Sequence, residues 1–262
     1  MRITSLTFVG QPALSPDQQE QIAKSVTPLP YVDRQKDLNE LLGRLRGAWQ
    51  HLGYFKVKVE LGGIRTLSEN AETKMVAIAA KVEAGSQYRL GEIQFTALPD
   101  GASFPRPESG PQRWQFTPAE MRAFFPLQRG DVFDTYKIEA GIGQMRQAYG
   151  AKGFIDFSVV PAFNFDDTNS SITLILEIGE GRQFHFGSIE VPGVDPELAR
   201  NLLVQSGIAS GKVFDPSRFA ELWKQSDEVL PENLELENIE RHINADHATV
   251  DLTLRVHACP VR

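Results

Sequence analysis

The sequence is poor in the residues that carry most protein chemistry. Among 262 residues there is one cysteine, Cys259, which excludes an internal disulfide and any paired-cysteine metal or redox site. No apolar run approaches the ~18 residues that a membrane-spanning helix needs. The opening MRITSLTFVG is interrupted by Thr, Ser and Gly too early for a secretory leader. The chain therefore reads either as cytosolic or as a mature segment carrying an added Met1. Positive charge is also scarce: 27 Lys and Arg stand against 34 Asp and Glu, a net charge of −7. The first third is slightly basic and the rest acidic, so neither nucleic acid nor an anionic membrane is an expected partner.

Catalytic signatures are missing as well. There is no HExxH, no nucleophile elbow and no Walker loop. GIGQ at 141–144 resembles part of a phosphate-binding loop, but no strand precedes it, no third glycine follows, and it lies inside a helical pattern, where close helix packing is the better reading. His242 and His247 flank Asp246 in RHINADHAT, a stretch that reads as a hairpin turn rather than a metal site. Asp166 and Asp167 before Thr168 and Asn169 read as another such turn, with too few oxygen ligands for calcium. No enzyme, metal or cofactor is expected.

What the chain has is repetition. At an offset of 100, Leu38, Leu42, Leu45 and Trp49 match Ile138, Ile142, Met145 and Tyr149, each set on one face of a helix. Gly53 then matches Gly153 as a residue able to end a helix at positive φ. Tyr54 and Phe55 match Phe154 and Ile155, and Val57 and Val59 match Phe157 and Val159 in an alternating strand pattern. At an offset of 96, VEAGSQYRLGEIQF (82–95) matches IGEGRQFHFGSIEV (178–191), including Gln87 with Gln183 and Tyr88 with Phe184. A third pair of words is GDVFD (130–134) and GKVFD (211–215), where Asp134 and Asp215 are expected to cap helices.

Three units emerge, 1–85, 86–181 and 182–262, each reading strand, helix, helix, strand, strand. The expected fold class is α+β: three tandem βααββ domains, each with two helices on one face of a three-stranded mixed sheet. Ser15 with Pro16 is expected to start the first helix. Two features are irregular. The third unit reads LPENLEL instead of a Gly-aromatic junction, and the second carries a Pro-rich insertion at 98–118.

This βααββ unit, with LGYF (52–55), KGFID (152–156) and EGRQFHFGSIEVPG (180–193), resembles the POTRA domain. Three in tandem resemble the periplasmic part of TamA-like outer-membrane assembly proteins of the BamA superfamily. The resemblance implies a non-catalytic periplasmic scaffold and chaperone-like receptor, followed by a C-terminal β-barrel that this chain does not contain. The implied partners are unfolded outer-membrane or secreted polypeptides and a periplasm-spanning protein. The alternative is a two-partner-secretion or division-type array docking one fixed partner; three units rather than two favour the assembly reading.

In such modules the edge of the second strand is implied to receive extended chains by strand addition. Carried over, the candidates are Lys56, Val57, Lys58 and Val59 in the first unit and Asp156, Phe157, Ser158, Val159 and Val160 in the second. Lys56 and Lys58 read as charged blunting of the first edge, which ranks the second edge higher. Trp114, in the insertion, reads either as a pin holding its loop or as an exposed anchor for a partner. The acidic run 227–240 reads as a solvated helix end and strand face. The short linkers 84–88 and 180–184 suggest restricted hinges.

Overall fold

The computed structural model describes residues 2–26, 34–69, 74–98 and 114–258. Fifteen elements run β1 (Arg2–Gln11), α1 (Pro16–Val26), α2 (Arg34–His51), β2 (Lys58–Glu69), β3 (Lys74–Glu83), β4 (Arg89–Ala97), α3 (Pro118–Ala123), α4 (Thr135–Gly150), β5 (Ser158–Asp166), β6 (Ser171–Gly179), β7 (His185–Glu190), α5 (Pro196–Ser206), α6 (Arg218–Val229), β8 (Leu234–Asn244) and β9 (Thr249–Ala258). The βααββ order recurs three times, as expected. It forms three three-stranded sheets, β1-β3-β2, β4-β6-β5 and β7-β9-β8. In the first and third sheets the opening strand is parallel to the central one and the second strand antiparallel to it. The last strand of each repeat is therefore central, and the second strand is always at an edge.

Compact packing divides the chain into two units. One comprises Met1–Gln94, Phe125–Ala140 and Ala162–Ile175; the other comprises Phe95–Phe124, Gly141–Pro161 and Leu176–Arg262. In the first, Val76, Ile78, Ala80 and Val82 of β3 alternate inward against Leu38, Leu41, Leu45 and Trp49 of α2, all buried. Trp49 is fully buried and donates its indole N–H to Pro12 O at 2.7 Å, so its polar atom is satisfied within an apolar core. In the second unit Val250, Leu252 and Leu254 of β9 do the same beneath Leu202 of α5 and Leu222 of α6. Both patterns follow from period-2 strands facing period-3.6 helices.

Helix starts are mostly those that local chemistry specifies. The Ser15 hydroxyl accepts from Gln18 N while the Gln18 side chain accepts from Ser15 N, a capping box ahead of Pro16. Asp134 caps α4 through Tyr136 N and Lys137 N at 3.0 and 3.3 Å. Thr117 and Glu120 form a second capping box at α3 with Pro118 in its first turn, so the last two residues of the 98–118 stretch belong to a helix start. Residues 99–113 of that stretch lie outside the described residues. Asp215 departs from expectation. It holds Ser217 through its backbone N–H at 3.0 Å and its hydroxyl at 2.6 Å, and α6 begins only at Arg218. Pro216 gives that segment an extra turn before the helix. Gly143 also differs: a Cβ there would meet nothing within 4 Å, so it does not serve close packing.

Replacing Trp49 by Ala is expected to cost about 3–5 kcal/mol through cavity formation, with the loss of the Pro12 bond included. Urea denaturation followed by far-UV circular dichroism measures it; a loss below about 1 kcal/mol contradicts this view of the first core.

Candidate functional site

The three pairs of repeated words converge in space, and they do so twice. In the first convergence, α2 is followed by Gly53, with φ +86°, and Gly53 O accepts from Tyr88 N at 2.8 Å. The Gln87 side chain donates to Leu52 O at 2.9 Å. Tyr88 O accepts from Phe133 N at 3.0 Å; Leu90 N donates to Asp131 O and Leu90 O accepts from Gly130 N, at 2.8 Å each. In the second convergence Gly153, φ +84°, accepts from Phe184 N at 2.8 Å. Gln183 donates to Lys152 O at 2.9 Å. Phe184 O accepts from Phe214 N at 2.9 Å, and Phe186 is bonded to Lys212 and Gly211 at 2.8 and 2.7 Å. Each joint thus ties the helix end of one repeat to the opening strand and helix approach of the next.

The joint explains both glycines beyond helix termination. A Cβ on Gly53 would lie 2.9 Å from Tyr88 O and from a Val132 methyl; one on Gly153 would lie 2.6 Å from Phe184 O and 3.0 Å from a Val213 methyl. Positive φ and close backbone approach coincide, which glycine alone tolerates. The linkers 84–88 and 180–184 are accordingly fixed by hydrogen bonds at their ends.

A family model described as "POTRA: Surface antigen variable number repeat" matches residues 110–181. Among solved structures, POTRA3-5 of BamA from Haemophilus influenzae is similar, with a TM-score of 0.59 at 18% identity over 98% of this chain and 96% of that one. POTRA1-3 of the periplasmic domain of Omp85 from Anabaena scores 0.41 at 14% identity, covering 99% of this chain and 96% of that one. The N-terminal domain of Omp85 from Thermosynechococcus elongatus scores 0.36 at 14% identity, covering 100% and 98%. The first of these is close enough in shape to show a shared fold. No curated protein matches by sequence. The chain has the fold of tandem POTRA domains, and its residues 110–181 match that family's model.

Side chains distinguish the two joints. At the first, Phe55 sits among Phe133, Phe163 and Phe165 with ring centroids 5.4, 5.4 and 5.6 Å away. Lys56 Nζ lies 2.5 and 2.6 Å from the Asp167 carboxylate oxygens, and the Tyr88 hydroxyl donates to the same carboxylate at 2.6 Å. The Lys56 ammonium and then the Tyr88 hydroxyl hold the Asp167 carboxyl below its ordinary range. Burial, then Asp167, pushes the Tyr88 phenol up. His51 stacks on Tyr136 at 3.4 Å between centroids and is hydrogen-bonded to the Thr135 hydroxyl. At the second joint the residues that occupy the matching positions are smaller or uncharged opposite one another: Ile155 for Phe55, Ala151 for His51, Ser217 for Tyr136 and Ala245 for Asp167.

The candidate edge residues are placed as follows. β2 begins at Lys58 and β5 at Ser158, so Lys56, Val57, Asp156 and Phe157 belong to the preceding turns, closed by Val57 N to Tyr54 O and Phe157 N to Phe154 O at 3.2 Å. Val57, Val59 and Val159 are buried, whereas Lys58 and Val160 are exposed. Phe157 stacks on Tyr149 at 4.0 Å. Lys56 is engaged by Asp167 rather than standing along the edge. Pro161 lies within β5, where it removes a backbone donor. Trp114 is half-buried, and its buried indole N–H has no hydrogen-bond partner among the described residues.

The remaining chemistry is sparse. His247 is tied to Asn244 through its backbone and ring nitrogens at 3.2 and 3.1 Å, as a turn residue. Among the described residues no three His, Cys, Asp or Glu side chains are grouped to hold a metal. Among them, also, no helix is long and apolar enough to cross a membrane. Tyr149, whose phenol is pushed far up by burial and then by Glu180, is a neutral core residue. The convergence of the three words was the arrangement that sequence reading missed. Its signal is that the Gly-aromatic word occurs in the first and second repeats and the Gln-aromatic word in the second and third.

Two predictions follow from the joints. Gly153→Ala forces a Cβ against a carbonyl at positive φ and is expected to destabilise by more than about 1 kcal/mol, whereas Gly143→Ala, in open space within α4, stabilises by about 0.5–1 kcal/mol. Thermal unfolding of the pair checks the contrast, and equal effects contradict it. His51 has its pKa lowered by burial, against the opposing pull of Glu139 and Asp134. A depressed folded pKa means that the unfolded chain binds the proton first, so stability falls as pH drops below the ordinary histidine value of ~6.5. His51→Gln should lower the slope of melting temperature between about pH 7.5 and 5.5; an unchanged slope contradicts this assignment.

Proposed function

We propose that this POTRA chain is the periplasmic receptor array of an outer-membrane assembly protein of the TamA-like kind. Its repeats, with boundaries near 85/86 and 181/182, receive extended client or partner segments at sheet edges and perform no catalysis. The observation that supports this reading is topological: β2, β5 and β8 each occupy the edge of a mixed sheet, with one side of the strand free to pair. Strand addition there supplies main-chain hydrogen bonds that do not depend on the client's sequence.

The edges are interrupted, which suits transient capture. In β2 a bulge falls between Leu61 and Gly63, and another between Thr66 and Ser68; in β5 Pro161 follows Val160. Each uninterrupted run offers only a few bonds, at about 0.5–1.5 kcal/mol net apiece. After association costs are subtracted, binding is weak and the client can be released. With Lys56 engaged by Asp167 and Pro161 removing a backbone donor within β5, the two edges are closer in receptivity than their lysine counts suggest. Three sheets in series favour an assembly array over a secretion-pore array.

Amide hydrogen exchange with and without extended peptides of alternating apolar and polar residues tests the reading. Added protection at 58–61 or 158–160 is expected. Protection confined to helices, or none anywhere, contradicts strand addition.

A further inference from the structure

The first joint shows what fits the second. Phe55 fills a cage of three rings at the first joint, while its counterpart Ile155 leaves the second joint open. A cavity of about 500 Å³ results, lined by Phe154, Phe157, Phe214 and Ile243, with Arg146 and Arg241 also contributing to its wall. The size lies within the ~300–1,000 Å³ of ligand sites. Ile243, at 55% exposure, presents an apolar surface that its own repeat does not cover.

Charge gives the cavity a preference. Both arginines are exposed, and the lining includes no Asp or Glu. Among the described residues neither arginine has an ion pair; Arg241 instead lies over the Phe219 ring at 5.8 Å. Two unpaired guanidinium groups beside an apolar hollow, in a chain of net charge −7, select an anionic occupant.

We infer that the second joint is a docking pocket for a partner polypeptide. The occupant is a segment with an aromatic or large aliphatic side chain that takes the place Phe55 holds at the first joint. Neighbouring carboxylates of that segment pair with Arg146 and Arg241. The pocket shares β8 with one of the proposed edges, through the Arg241 and Ile243 side chains, but does not depend on strand addition.

Fluorescence anisotropy of a labelled, end-blocked Glu-Phe-Glu-Leu-Glu peptide titrated with the whole chain tests this. Saturable binding is expected, weakened at least about tenfold when the peptide's Glu residues are replaced by Lys or when the chain carries Arg146→Glu with Arg241→Glu. Ile155→Phe should weaken it comparably by filling the hollow. The arginine pair is exposed, so that variant is expected to fold even if Ile155→Phe does not. Absence of binding overturns the inference, as does binding indifferent to the arginines. So does binding abolished only by Val160→Pro, which disturbs the β5 edge alone. Phosphatidylglycerol vesicles form a separate arm: retention on vesicles without peptide binding would assign the pocket to lipid and overturn the polypeptide reading.

Discussion

One backbone hydrogen bond, made twice, organises this chain: Tyr88 N to Gly53 O and Phe184 N to Gly153 O, each 2.8 Å long. It forms only where the carbonyl-bearing residue lacks a Cβ and adopts positive φ. From it follow the glutamine contact to the preceding carbonyl, the bridge from the opening strand to the next helix approach, and the direction in which each strand leaves the joint. Each repeat is small, with a three-stranded sheet that relies on its helices for a core. The joint extends ordered hydrogen bonding past the end of each such core.

The two joints share this backbone and diverge in their side chains. The first is filled with aromatic rings and closed by the Lys56–Asp167–Tyr88 cluster; the second retains a hollow edged by arginines. Identical main-chain geometry with different fillings is what separates a structural contact from a surface able to take a ligand. The compact division of the chain reflects the first filling: segments 125–140 and 162–175 group with the first repeat because Phe133, Phe163, Phe165 and Asp167 gather around Phe55 and Lys56.

Much of the fold was legible in the sequence. Alternating aliphatic residues in β3, β6 and β9, the Leu38–Trp49 helix face, and the Ser15 and Asp134 caps rest on periods and local bonds that a single sequence displays. The joints were not legible, because their three components lie some 30 to 80 residues apart and recur at different offsets. The site residues were legible only in part. Lys56 looks like an edge lysine until Asp167, 111 residues away, is placed beside it, and Phe55 gives no sign of its three-ring cage. Pro161 stands openly in the sequence, yet its effect appears only once β5 is known to continue through it as an edge strand.

The most direct test of the account is residue-resolved amide exchange, by nuclear magnetic resonance, at Tyr88 and Phe184 in the free chain. Their N–H groups are expected to be protected to a degree approaching that of the central strands β3 and β9. Exchange at the rate of an unstructured linker, with β3 and β9 still protected, would show that the repeated words do not hold the repeats together.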